Sequence, residues 1–177
     1  MAAIDVLATP SAPRESVVDW PTVETEMRTS LPEDYKDFIL RYGTGKIGEF
    51  IWVLNPAASN PNLNLIRRSE EILRALREYR VSLAALGKTV PFAAFPEPGG
   101  LLPWGGTDNG DVCYWRTGDP DPNEWHVVLN DGRGAIWEEF DVTMTQFIAA
   151  PPLSSKLSKG ADVRAKIDPY AADLKVP

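Results

Sequence analysis

The chain carries one histidine, His126, and one cysteine, Cys113. A histidine base needs a serine or cysteine nucleophile within hydrogen-bond reach and a carboxylate to orient its ring. His126 sits inside "WHVVL", a strand-like run with no nucleophile beside it, and the chain has no Gly-x-Ser-x-Gly turn. It reads as a strand histidine, facing solvent or partly packed. Cys113 lies between Val112 and Tyr114. No cation sits close in sequence to stabilise a thiolate, so it reads as a core or sheet-face residue.

Oxygen ligands for a metal are offered by "DNGD" and "DPDPNE". A calcium loop of the EF-hand type wants acids at positions 1, 3 and 5, glycine at 6 and glutamate at 12, and "TDNGDVCYWRTG" meets almost none of these. Asn109-Gly110 instead suits a hairpin turn that needs positive φ, and Asp119-Pro120 and Asp121-Pro122 are turn steps. "PGGLLPWGG" is rich in glycine but has neither Gly-x-Gly-x-x-Gly nor a phosphate-binding lysine. These residues predict no cofactor and no metal.

Charge is the stronger clue. The net charge of −7 is concentrated between Glu97 and Asp141. That stretch holds ten acids (Glu97, Asp108, Asp111, Asp119, Asp121, Glu124, Asp131, Glu138, Glu139, Asp141) against Arg116 and Arg133. Such a field repels phosphates and attracts basic partners, which argues against nucleic-acid binding. Trp104 follows Pro103 and precedes two glycines. The surroundings predict a place near a sheet edge, where an aromatic beside acids has the composition of a protein-binding hot spot.

The 177 residues suit one domain with tails, and 44% hydrophobic with 24% charged residues is ordinary for a soluble globular chain. A single cysteine suits a reducing compartment. No signal peptide or ~20-residue apolar run is apparent, so the expected location is the cytoplasm, without a membrane partner. Residues 1–17 read as a loose arm, 18–152 as the domain and 153–177 as a polar tail with a weak helix near Asp162–Ile167.

Within the domain, Pro21, Val23 and Met27 predict a short helix. Ser30 and Glu33 have capping-box spacing before a second helix, whose Tyr35, Phe38, Ile39 and Tyr42 share one face and which Gly43 and Gly45 stop. "GEFIWVLNP" reads as one buried strand. A helix over Leu65–Arg80 presents Ile72, Leu76, Tyr79 and Leu83 on one stripe. "TVPFAAF", "LLPWGG" (short or at an edge, because of Pro103), "GDVCYWR", "EWHVVLND" and "AIWEEF" are strand candidates. A last helix is capped by Asp141 or Thr143 and carries Phe147 and Ile148. Strands cluster late with short turns between them. The fold class is therefore α+β, a mostly antiparallel sheet of about six strands with helices packed on one side.

In order and spacing, "LPEDYKDFILRYGTG", "PFAAFPEPGGLLPWGGTDNGDVCYW", "EWHVVLND" and "WEEFDVTMTQFI" resemble the SUKH superfamily over about residues 20–150. That group includes the yeast cell-wall-assembly regulators and many bacterial immunity proteins of polymorphic toxin systems. The family often shows Asn-Gly-Gly where this chain has "GTG". The resemblance implies a six-stranded α+β domain without enzymatic activity, and many bacterial members are thought to bind and neutralise a toxin, often a nuclease.

The combined expectation is a non-catalytic module that occludes a basic toxin domain. Asp108, Asp111, Asp119, Asp121 and Glu124 would supply charge, with Trp104 and Tyr114 as apolar anchors. The alternative is a regulatory or scaffold domain that binds housekeeping proteins.

Overall fold

Helix α1 (Trp20–Met27) is opened by Asp19, whose carboxylate accepts from the Thr22 N–H at 3.4 Å and the Thr22 hydroxyl at 2.7 Å, with proline in the first turn. Arg28, at φ 58°, closes it. These are details of a computed structural model that describes residues 17–47, 50–132 and 136–149. Nearly all of the expected arm, and the expected tail with its weak helix, lie outside the described residues.

The order continues with α2 (Glu33–Tyr42), β1 (Gly45–Ile47), β2 (Ile51–Val53), α3 (Leu65–Ala85), β3 (Leu101–Thr107) and β4 (Val112–Arg116). A 3₁₀ turn (Pro122–Glu124) precedes β5 (His126–Asn130), β6 (Trp137–Phe140) and α4 (Met144–Ala149). The strands form one six-stranded sheet in sequence order, with every neighbouring pair antiparallel. This is the expected α+β class.

Several local expectations change. The Ser30–Glu33 capping box does not form. Pro32 occupies the cap of α2 and has no side chain able to accept. The Glu33 N–H instead donates to Asn123 Oδ1 at 2.9 Å, across 90 residues of sequence. "GEFIWVLNP" is not one strand. Its strand, β2, turns back on β1, which begins at the expected stop, Gly45. "TVPFAAF" forms no strand, only a bridge from Ala94 to Leu101. Pro91 and Pro96 cannot donate to a ladder, and the segment closes in a tight turn at Gly100, where a Cβ would lie 2.6–2.7 Å from three backbone atoms.

β3 is longer than expected and lies inside the sheet, between β2 and β4. A bulge between Pro103 and Gly105 accommodates the proline. Gly105 is required there, because a Cβ would stand 2.6 Å from the Trp52 carbonyl oxygen.

The sheet is covered on both sides, so the expectation of helices on one side needs correction. In β4, Cys113, Tyr114 and Trp115 are all buried, so alternation there separates two apolar sides rather than inside from outside. On the Trp115 side, Tyr35 of α2 meets Trp115 edge-on at 5.1 Å. Phe147 of α4 meets Trp104 at 6.1 Å and Phe140 at 5.4 Å. On the Tyr114 side lies α3, whose Ser69 hydroxyl donates to the Pro103 carbonyl. The α3 stripe is also shifted from expectation: Leu65, Ser69, Leu73 and Leu76 are its buried residues, while Tyr79 is 38% exposed.

α4 is held by two devices. Thr143 and Gln146 form a capping box: the Thr143 N–H donates to Gln146 Oε1 at 2.9 Å and the Gln146 N–H to Thr143 Oγ1 at 3.4 Å. Asp34 Oδ2 accepts from both the N–H and the hydroxyl of Thr145, tying α4 to the start of α2.

Candidate partner-binding surface

The acidic segment does not form one face. In an antiparallel meander, successive turns fall at opposite ends of the sheet. Asp108 and Asp111 sit on the β3–β4 turn, at the same end as Asp131 after β5. Asp119, Asp121 and Glu124 sit on the β4–β5 loop, at the other end. The five residues of β4 separate the two groups by about 14 Å along the strand. That exceeds the ~8 Å screening length at physiological salt, so the groups act as separate fields.

The first group is largely engaged within the protein. Asp108 accepts from Trp52 Nε1 at 2.7 Å and pairs with Lys46 at 3.0 Å. Asp111 Oδ2 accepts from the Thr107 hydroxyl at 2.7 Å, closing a hairpin in which Gly110 takes φ 88°, as Asn109-Gly110 led one to expect.

The second group is different. Asp119, Asp121 and Glu124 are exposed, and none forms an ion pair among the described residues. Their loop is nevertheless fastened. Asp119 Oδ1 accepts from the Asp121 N–H, and Asp121 Oδ1 from the N–H and side-chain amide of Asn123, all at 2.9 Å. Trp125, itself buried, donates its indole N–H to the Asp119 carbonyl at 2.8 Å. Asn123 Oδ1 caps α2. One oxygen of each aspartate therefore holds the loop while the remaining charge faces solvent.

The fold adds residues that the sequence did not group here. The cap brings Glu33, in the first turn of α2, next to the loop. Asp141, with a side chain 91% exposed, lies 3.1 Å from His126 at the start of β5. This end thus gathers Asp119, Asp121, Glu124, Glu33 and Asp141 near three bases: Lys36, bonded to Glu24 and Glu33, His126 beside Asp141, and Arg116, paired with Glu139. Nothing local in "DPDPNEW" announces that its asparagine caps a helix 90 residues earlier. Replacing Asn123 with alanine should cost about 1 kcal/mol. Native-state hydrogen exchange at the Glu33 amide should quicken while the β4 and β5 amides stay protected.

Two expected anchors are corrected. Trp104 is fully buried, because β3 is an inner strand and the bulge turns the ring onto Trp115 and Phe147. Tyr114 is 3% exposed beneath α3 and beside Trp137. Neither offers an exposed ring to a partner. The indole N–H groups of Trp104 and Trp115 have no hydrogen-bond partner among the described residues.

Cys113 is buried, and burial, helped by the nearby Asp111 charge, pushes its thiol far above the ordinary range. It should resist a thiol-specific reagent at pH 8 in the native state and react stoichiometrically once the protein is unfolded in guanidinium. Fast native labelling would contradict this placement. Among the described residues, no group of three His, Cys, Asp or Glu stands where it could hold a metal ion, and no helix is long and apolar enough to cross a membrane.

Against known families, residues 19–148 match the SMI1-KNR4 cell-wall family model of the SUKH group. The match spans nearly every described element, from α1 to α4. The chain belongs to the SUKH superfamily. SUKH domains include toxin immunity proteins and are generally non-catalytic immunity or regulatory modules. No curated protein and no solved structure gives a significant match.

Proposed function

We propose that this SUKH domain is an immunity protein that neutralises a toxin by binding and occluding a basic domain of it. The observation that carries the reading is the β4–β5 loop: three exposed carboxylates that form no ion pair among the described residues, on a backbone held by side-chain hydrogen bonds. A nuclease must present a basic groove to its substrate. A fixed acidic loop speeds encounter with such a groove and competes with nucleic acid for it. A loop already ordered also loses less conformational entropy on binding than a mobile one. The mechanism is stoichiometric occlusion, needs no catalysis or cofactor, and operates in the cytoplasm of the producing cell. Asp108 and Asp111 belong to a separate and largely self-satisfied field, so the proposed contact set is Asp119, Asp121 and Glu124, extended by Glu33 and Asp141.

The test is affinity capture of the tagged full chain from its native cells at low and high salt, with mass spectrometry of what is retained. One stoichiometric partner with a basic domain, released by salt, is the expected result. Several substoichiometric housekeeping proteins would instead favour a regulatory scaffold and overturn the toxin reading.

A further inference from the structure

Leu76 is the last buried residue of α3, and from Arg77 to Ala85 only Arg80 and Leu83 are even half-buried. These outer turns are braced by the turn that precedes β3. The Arg77 guanidinium donates to the Phe95 carbonyl, and Arg80 pairs with Glu97. The same turn is bonded to the start of the β4–β5 loop: the Gly100 carbonyl accepts from the Thr117 N–H at 3.0 Å and from its hydroxyl at 2.8 Å. The C-terminal part of α3 and the acidic loop therefore stand at one end of the sheet, joined through a single turn.

This part of α3 is apolar and basic. Val81 and Leu86 are 72% and 71% exposed. Val81, Ala84 and Val90 line an open recess of about 460 Å³ together with Arg77, Arg80 and Lys88. Residues 74–90 hold four bases and one acid, Glu78. Glu97 neutralises Arg80, but Arg77 is bonded to a neutral carbonyl, and Arg74 and Lys88 form no ion pair among the described residues. Counting Glu97, this shelf keeps a net charge of +2 on a chain of −7.

We propose that the shelf is the second half of the contact with the partner of the acidic loop, and that it takes a segment of that partner in which carboxylates flank an apolar side chain. The inference rests on the immunity reading. A specific interface takes roughly 800 Å² from each partner and a few well-packed anchors, which three loop carboxylates do not supply. Trp104 and Tyr114 are buried and cannot serve as anchors. Val81 and Leu86 offer apolar surface at the same end, and the bases beside them select for carboxylates.

Charge also decides against other occupants. An anionic membrane would suit an apolar and basic helix end, but Asp119, Asp121 and Glu124 at the same end repel it. Nucleic acid is repelled in the same way. A partner whose basic groove is edged by an acidic, apolar ridge meets both fields with the opposite sign. A uniformly basic protein meets only one, so the shelf adds specificity to the rapid encounter that the loop provides.

The test places the photo-crosslinker p-benzoylphenylalanine in the tagged full chain, at Val81, at Pro120 on the loop, or at Leu40 of α2 as a control, with illumination in the native cells. Pro120 and Leu40 are both exposed. The expected result is one protein linked from both Val81 and Pro120 but not from Leu40. The peptide linked at Val81 should hold an apolar residue among more acids than bases. Adding Arg74→Glu and Lys88→Glu should lower the Val81 link by at least about fivefold. A link from Pro120 but not from Val81 would overturn the shelf and leave the immunity reading standing. Different proteins at the two positions, a basic peptide at Val81, or a Val81 link indifferent to the two reversals would also overturn it. So would a Val81 link to lipid or to a second copy of the chain. No link at either position would sink the shelf and the immunity reading together.

Discussion

Neutralising the β4–β5 loop, as Asp119→Asn with Asp121→Asn and Glu124→Gln, slows association with a basic partner by about tenfold at low salt, and the difference shrinks as salt rises. The amide oxygens can still accept from the Asp121 and Asn123 N–H groups, so the loop bonds at 2.9 Å survive and only charge is removed. Thermal stability should therefore stay within about 0.5 kcal/mol of the parent. The matching pair at the other end, Asp108→Asn with Asp111→Asn, should change the association rate much less. Its carboxylates are already bonded to Lys46, Trp52 and Thr107. Stopped-flow association at two ionic strengths checks both. Equal effects from the two ends would mean that a diffuse acidic field acts, and the localised loop would lose its special role.

Trp115→Ala destabilises the domain by about 3–5 kcal/mol, a large share of the 5–15 kcal/mol typical of a whole domain. Trp115 is 1% exposed and touches Tyr35, Trp104 and Trp125, so it joins α2, the inner strand β3 and the segment that leads into β5. Its loss leaves a cavity that three separate elements would have to collapse to fill. Trp115→Phe should cost distinctly less, because it keeps a ring on Tyr35 and also removes an indole N–H that has no partner among the described residues. Denaturant unfolding of the two variants measures the difference. If both cost the same, the orphaned donor carries no penalty, and a partner for it must exist in solution.

These two results would also separate what was legible in the sequence from what was not. Helix α2 was legible because Tyr35, Phe38, Ile39 and Tyr42 repeat at helical spacing, and all four are buried. The hairpin at Asn109-Gly110 was legible because few residues but glycine tolerate φ 88°. The β1–β2 hairpin was not, since two three-residue strands are too short to display a period. Pro103 misled, because a proline marks an edge unless a bulge absorbs it, and bulges leave no reliable local signal. The candidate surface was half legible: its charges are plain in the sequence, but their division between two ends of the sheet depends on strand order.

By itself, then, the sequence determined the α+β class, most of the elements, the acidity of one segment and the SUKH resemblance. Each follows from residue type and short-range spacing, which act through local sterics and the period of burial. Only the tertiary structure decided that β3 is an inner strand, that Trp104 and Tyr114 are core, and that Asn123 caps α2 and draws Glu33 toward the acidic loop. Those outcomes come from packing between residues tens of positions apart. Their energies depend on which surfaces meet, and no local pattern encodes that.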